Sequence, residues 1–196
     1  MSAKFHILLG ATGSVASIKV EELIDRLIND FGVANVEIRL IVTDASHHFV
    51  PIDQIKSAKI CQVFTDADEW TAWQKRGDPV LHIELRRWAD IFVIAPMSAN
   101  SLAKLACGLC DNLLTCVARA WDMKRPLIVC PAMNTLMYEH PLTVEHLTKL
   151  TELGYFIVPA IRKHLVCGDV GMGAMATIDS IVERIQIEYD QFKAIV

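Results

Sequence analysis

One histidine, one asparagine and one cysteine stand in three separate segments, each beside a predicted element boundary. His82 lies in Val80-Leu81-His82-Ile83-Glu84-Leu85, Asn134 in Pro131-Ala132-Met133-Asn134, and Cys167 opens the glycine-rich stretch 167–176. An imidazole moves protons near neutral pH, a thiol donates one or attacks, and an amide holds a carboxylate or another amide. A fourth segment, Gly10-Ala11-Thr12-Gly13-Ser14, follows a predicted strand and opens a predicted helix. Glycines there let backbone approach a ligand, and helix N–H groups attract phosphate. Together the four segments suggest a phosphate-bearing cofactor facing an acid/base pair and a thiol.

Taken singly, each segment has a plainer reading. The Gly10–Ser14 turn lacks the third glycine of a dinucleotide fingerprint, since Ala16 and Ser17 occupy that region and Lys19 follows. It lacks the Gly-Lys-Ser/Thr ending of an NTPase loop as well. A mononucleotide phosphate fits it better, and a structural tight turn is the alternative. Thr43, Ser98, Ala99, Asn100 and Ser101 sit at strand ends, where small polar residues bind ligands or simply cap helices. A lone histidine in an apolar setting is commonly a satisfied core residue, and Asn134 can serve as the N-cap of a helix from Thr135. Segment 167–176, with three glycines, reads as a mobile flap carrying Cys167 or as an ordinary loop. Neither His47-His48 nor the pair His140 and His146 has the carboxylates or spacing of a metal site, so no metal is expected.

The elements that must position these residues alternate. Strands are predicted at 4–9, 36–42, 60–64, 90–95, 126–131 and 155–158. Helices are predicted from Ser14 to Phe31 and at 99–107, 112–121, 142–153 and 178–192, with a short helical stretch after His82. The run Asp90-Ile91-Phe92-Val93-Ile94-Ala95 has the continuous apolar character of a central parallel strand covered on both faces. Strands alternating with helices of this length give βαβ units, hence an α/β, doubly wound, Rossmann- or flavodoxin-like parallel sheet flanked by helices. Ligands then bind at the carboxyl ends of the strands.

Composition narrows the classes. A chain of 196 residues is expected to be one domain, residues 1–196, with a core large enough to need no disulfide. The formal charge of −4 leaves no electrostatic footprint for nucleic acid. No apolar run approaches the roughly 20 residues that cross a bilayer, so no membrane association is expected. Residues 1–4 show no signal-peptide pattern, so a cytoplasmic setting is expected. The six cysteines are then expected to be reduced, and mostly core thiols, including the Cys107/Cys110 pair, which lacks a second ligand pair for zinc. Hydrophobic residues make up 53% and mean hydropathy is +0.33. Either the core is large or other subunits cover part of the surface.

The chain resembles the homo-oligomeric flavin-containing cysteine decarboxylases over nearly its full length, from Gly10 to Met175. The stretches that carry the resemblance are 77–90 (Gly-Asp-Pro-Val-Leu-His-Ile-Glu-Leu-Arg-Arg-Trp-Ala-Asp), 95–100 (Ala-Pro-Met-Ser-Ala-Asn), 108–114 (Gly-Leu-Cys-Asp-Asn-Leu-Leu) and 131–137 (Pro-Ala-Met-Asn-Thr-Leu-Met). The resemblance implies FMN as cofactor, with Gly13, Ser14, Val15, Thr43, Ser98, Asn100, Ser101 and Ala132 at flavin-contacting positions and Ala99 among them. It implies 4'-phosphopantothenoylcysteine, of coenzyme A biosynthesis, as substrate, with Lys19 and Met137 near it. It implies His82, Asn134 and Cys167 as catalytic residues, Asn134 also binding substrate.

The chemistry explains that set. Direct loss of CO2 from a cysteine-derived carboxylate leaves a carbanion with no electron sink. Two-electron oxidation of the thiol by flavin gives a thioaldehyde, and cleavage then delocalises charge onto sulfur as an enethiolate. Reduced flavin returns a hydride, and a proton is needed at the adjacent carbon. On this reading His82 is the base of the oxidative half, Asn134 holds the carboxylate or amide, and Cys167 supplies the proton of the reductive half. The resemblance further implies a homotrimer with sites between subunits, His82 from one and Asn134 from its neighbour. Three alternatives share the fold: a protein-phosphatase regulator, expected to carry acidic or low-complexity extensions and to lack a catalytic residue; a decarboxylase of a peptide's C-terminal cysteine; and a flavodoxin-like electron carrier, which needs neither His82 nor Cys167.

Overall fold

The computed structural model describes residues 4–57, 61–164 and 170–195. Six strands form one parallel sheet: β1 Phe5–Ala11, β2 Val36–Val42, β3 Gln62–Phe64, β4 Ile91–Met97, β5 Leu127–Pro131 and β6 Phe156–Ile157, in spatial order β3-β2-β1-β4-β5-β6. The order reverses between β1 and β4, which pair from Ile7↔Ile91 to Gly10↔Ile94. A crevice opens there at the strands' carboxyl ends, the usual ligand site of such sheets.

Side-chain alternation divides the interior into two layers. Ile7, Leu9, Leu40, Val93 and Ile128 pack with α1 (Val20–Phe31) and a helix at 178–195 on one face. Leu8, Ile41, Phe92, Ile94 and Val129 face the other layer, which includes α4 (Leu81–Trp88), α5 (Ala99–Cys107) and α6 (Leu113–Arg119). All seven residues of β4 are buried, as a strand covered on both faces requires. A surplus of apolar residues nevertheless remains outside: Trp70 is 80% exposed, Leu136 75% and Val170 62%.

The structure departs from the sequence-based expectations at four places. Ser14 caps a 3-10 turn, Val15–Lys19, and α1 proper begins only at Val20. Two short helices flank β3, α2 Ile52–Ser57 and α3 Asp66–Ala72, where no helix was expected. The stretch expected to be a flap or an ordinary loop contains a strand. Residues Val170–Ala174 form β8, antiparallel to β7 Ile161–His164, with His164 opposite Val170. Its glycines serve close packing: a Cβ at Gly171 would stand 2.5 Å from Thr135 Cγ2, and one at Gly173 (φ +129°) would collide with the Met133 carbonyl. Finally, Cys107 and Cys110 are exposed, Cys61 and Cys116 are half-buried, and Cys130 is the fully buried thiol among those described. Gly108 (φ +73°) ends α5 in a left-handed turn, with Cys107 exposed at the helix end and Cys110 exposed beyond it.

Among the described residues, no helix is long and apolar enough to cross a membrane.

Candidate active site

The ends of β1, β2, β4 and β5 supply the walls of one cleft of about 1420 Å³. From the β1 turn come Gly13, Ser14, Val15 and Lys19; from β2, Thr43; from the β4–α5 junction, Ser98, Ala99, Asn100 and Ser101; from the β5 loop, Ala132, Asn134 and Met137. Every cofactor and substrate position expected from the sequence therefore lies on this cleft. Many of the same residues also make the local bonds of ordinary caps. The Ser14 hydroxyl accepts from Ala16 N at 3.4 Å, Ser98 Oγ from Ser101 N at 3.3 Å, and Asn134 Oδ1 from Leu136 N at 2.9 Å. The capping reading and the ligand reading are compatible, because each capped turn is aimed at the crevice.

Thr12 joins the two halves of the cleft. Its side chain, fully buried, donates to Pro96 O at 2.9 Å and accepts from Ser98 N at 2.7 Å. Its own carbonyl accepts from Ser17 Oγ at 2.7 Å. Reading the Gly10–Ser14 segment for its glycines alone misses this threonine.

The far walls hold residues the sequence reading did not single out as site residues. Asp66, Lys104, Asp111 and Asn112 line one side; Lys163, His164, Met175 and Ile178 line the other. Lys104 Nζ lies 2.8 Å from both carboxylate oxygens of Asp111, which holds that carboxyl below its ordinary range. Burial pushes Asp66 upward, although its Oδ1 accepts from Leu113 N at 2.8 Å. Of these, Asn112 and Ile178 stand at predicted helix starts; the rest carry no such signal in the sequence.

His82 stands apart. It is the second residue of α4 and does not line the cleft that holds Asn134. Its Nδ1 lies 2.7 Å from Glu69 Oε1, and its backbone N–H donates to Glu69 Oε2 at 3.1 Å. Cys167 lies outside the described residues.

The donor set of the cleft suits a flavin mononucleotide. The N-terminus of the nine-residue α5 opens onto it beside the Ser14 turn, an arrangement that attracts phosphate. Buried Thr43, Ser98 and Ser101 present hydroxyls for a polar chain, and apolar Ala132 and Met175 flank the floor. The volume exceeds the roughly 300–1,000 Å³ of a common small-molecule site, so a second molecule fits beside the first.

Comparison with known proteins agrees with this geometry. Residues 1–189 match the family model described as Flavoprotein. A phosphopantothenoylcysteine decarboxylase of Mus musculus is 47% identical over 192 residues, covering 98% of this chain and 91% of the relative. The structure of a PPC decarboxylase mutant complexed with pantothenoylaminoethenethiol superposes with TM-score 0.88 at 49% identity, covering 96% of this chain and all of that one. The FMN-binding protein AtHal3 gives TM-score 0.85 at 50% identity, with 96% and 98% covered. The chain belongs to the flavoprotein family, in the group that contains the phosphopantothenoylcysteine decarboxylases.

Proposed function

We propose that this chain is an FMN-dependent decarboxylase of 4'-phosphopantothenoylcysteine, acting as a homotrimer with active sites between subunits. The observation that carries the reading is the convergence of four strand ends on a cleft large enough for flavin and substrate together. The Gly13–Val15 turn and the α5 N-terminus would hold the phosphate, while Thr43, Ser98, Ser101 and Ala132 would contact the rest of the cofactor. When bound, FMN supplies a two-electron oxidation of the substrate thiol and returns the electrons after CO2 has left.

The chain's own groups manage protons and position. Asn134 presents its amide at the cleft wall, where it would hold the substrate carboxylate. Lys19 and Met137 border the space the remaining substrate occupies. His82 accepts the proton released as the thiol is oxidised. Cys167 donates the proton that completes the saturated product.

Two features support sites shared between subunits. His82 lies off the cleft of its own chain. Exposed apolar side chains also flank both reactive positions: Trp70 on α3, which carries Glu69, Trp73 just after that helix, and Leu136, Met137 and Val170 around Asn134. A neighbour that brings its α3–α4 surface against the Asn134 side covers both sets and delivers His82.

Anaerobic mixing with substrate tests the reaction. The wild-type protein should turn over, and His82→Asn should neither bleach its flavin nor release CO2. Cys167→Ser should bleach once, release about one CO2 per site and accumulate the unsaturated thiol, because a hydroxyl is a far poorer proton donor than a thiol of pKa about 8.5. A wild-type rate for Cys167→Ser defeats the assignment of Cys167.

A further inference from the structure

We propose that Glu69 is the positioning residue for His82: its carboxylate fixes the imidazole as the Nδ1–H tautomer and leaves Nε2 as the free basic nitrogen. The inference rests on the reading of His82 as the proton acceptor and adds a second residue to that function.

The geometry is a two-point grip. Glu69 Oε1 lies 2.7 Å from the ring Nδ1, and Oε2 accepts the His82 backbone N–H at 3.1 Å. An ionised carboxylate only accepts hydrogen bonds, so the ring nitrogen facing it carries the hydrogen. The ring's other nitrogen is then the one with a lone pair. A histidine on an exposed helix turn would sample rotamers and both tautomers. Here one carboxylate ties the side chain and the backbone of the same residue.

The grip is itself anchored. Side-chain exposure is 13% for Glu69 and 26% for His82, so solvent does not dissolve the pair as it does an exposed one. Glu69 sits on α3, whose start is fixed by a capping box: Asp68 Oδ2 accepts from Thr65 N at 2.7 Å. Asp66, the first residue of α3, accepts from Leu113 N and pins α3 to α6. α4, by contrast, has Val80 at its N-cap, with no side chain to satisfy the first N–H groups. Glu69 supplies the missing acceptor from a different helix. The carboxylate thus sets where α4 begins and how its second residue points.

The chemical consequence follows from charge. When Nε2 takes a proton the ring becomes cationic, and a carboxylate 2.7 Å from Nδ1 stabilises that form without moving. Two effects are therefore assigned to Glu69: orientation of the base and stabilisation of its protonated product. A purely structural cap supplies neither.

The FMN-loaded full chain tests this with Glu69→Gln, Glu69→Ala and His82→Asn. Glutamine retains an oxygen to accept the His82 backbone N–H, so Glu69→Gln should keep the melting temperature while kcat falls about 10–100-fold at nearly unchanged KM. Glu69→Ala should lower kcat further and lower the melting temperature too. With 15N-histidine labelling, the His82 signal, identified by its loss in His82→Asn, should report Nδ1–H in the wild type and shift toward Nε2–H in Glu69→Ala. Wild-type kcat in Glu69→Gln beside an inactive His82→Asn overturns the proposal alone, leaving Glu69 as a helix cap. An unchanged Nδ1–H signal in Glu69→Ala overturns it as well. Wild-type activity in His82→Asn instead overturns the underlying reading of His82, and the proposal with it.

Discussion

Thr12 and Ser98 are joined across the topological switch point: the Thr12 hydroxyl accepts from Ser98 N at 2.7 Å and donates to Pro96 O at 2.9 Å. One buried side chain thereby sets the spacing between the β1 turn and the α5 N-terminus, the two elements proposed above to face the phosphate. Thr12→Val keeps the shape and deletes both bonds, leaving a buried N–H and a buried carbonyl unpaired. That should cost about 2–4 kcal/mol of stability. The protein should also lose flavin on dilution faster than wild type. Unfolding in urea and the flavin retained after gel filtration measure the two effects. Unchanged values in both would show that the crevice is held by other contacts.

Gly173 allows β8 to lie against the Asn134 loop, where its carbonyl accepts from Met133 N at 2.9 Å. An alanine there meets the Met133 carbonyl, and its φ of +129° is strained for any L side chain. Gly77 has a comparable φ of +104° but open space around its missing Cβ. Gly77→Ala should therefore show the backbone strain alone, about 1 kcal/mol. Gly173→Ala should lose more stability and more activity, because the displaced loop carries Asn134. Equal melting temperatures for the two variants would rule out the close approach as the reason for glycine.

The contrast between these sites explains what was legible in the sequence. The parallel sheet could be read because β4 is a continuous apolar run and its neighbours alternate with helices of ordinary length. The cleft residues at strand ends could be read because glycine, serine and threonine at such boundaries have a physical reason to face a ligand. The β7–β8 hairpin was not legible. Arg162, Lys163 and His164 do not alternate, and glycines required by close packing look the same in sequence as glycines required by motion. Glu69 was hidden as well, because it reaches His82 from 13 residues away across two helices. No periodicity encodes such a contact.

Asp66 gives a pH-dependent test of the junction between α3 and α6. Burial raises its folded pKa above the unfolded value near 3.8. Between those two values the folded state binds more protons than the unfolded state, so this group's contribution to stability declines as pH rises through that window. At neutral pH the ionised carboxylate is held at a net cost. Asparagine keeps an oxygen for Leu113 N and removes the charge. Asp66→Asn should therefore melt higher than wild type at pH 7, with the gap shrinking toward pH about 3.5, below which wild-type Asp66 is protonated in both states. Melting curves across that range decide it, and a gap that widens toward acid reverses the sign and defeats the assignment.

With the proposed trimer, the placement of His82 outside its own chain's cleft makes a quantitative prediction about mixed assemblies. His82→Asn and Asn134→Asp proteins should each be inactive. In a hybrid ring, a site takes its histidine from one subunit and its asparagine from the next. It is intact wherever an Asn134→Asp chain supplies His82 to a His82→Asn chain that supplies Asn134. With equal amounts and random exchange, about one quarter of the sites meet that condition, so about one quarter of wild-type activity should return. Light scattering at roughly three times the mass of one chain should accompany it. Sites assembled from a single chain would return no activity at any mixing ratio, because every chain would then lack one of its two groups. A two-fold dimer has one isologous interface carrying two equivalent sites, shared reciprocally, so recovered activity without a trimeric mass would keep the shared site and discard the ring. The mixing curve separates the models further. Activity should peak at equal proportions and fall symmetrically, since the fraction of intact sites is the product of the two chain fractions.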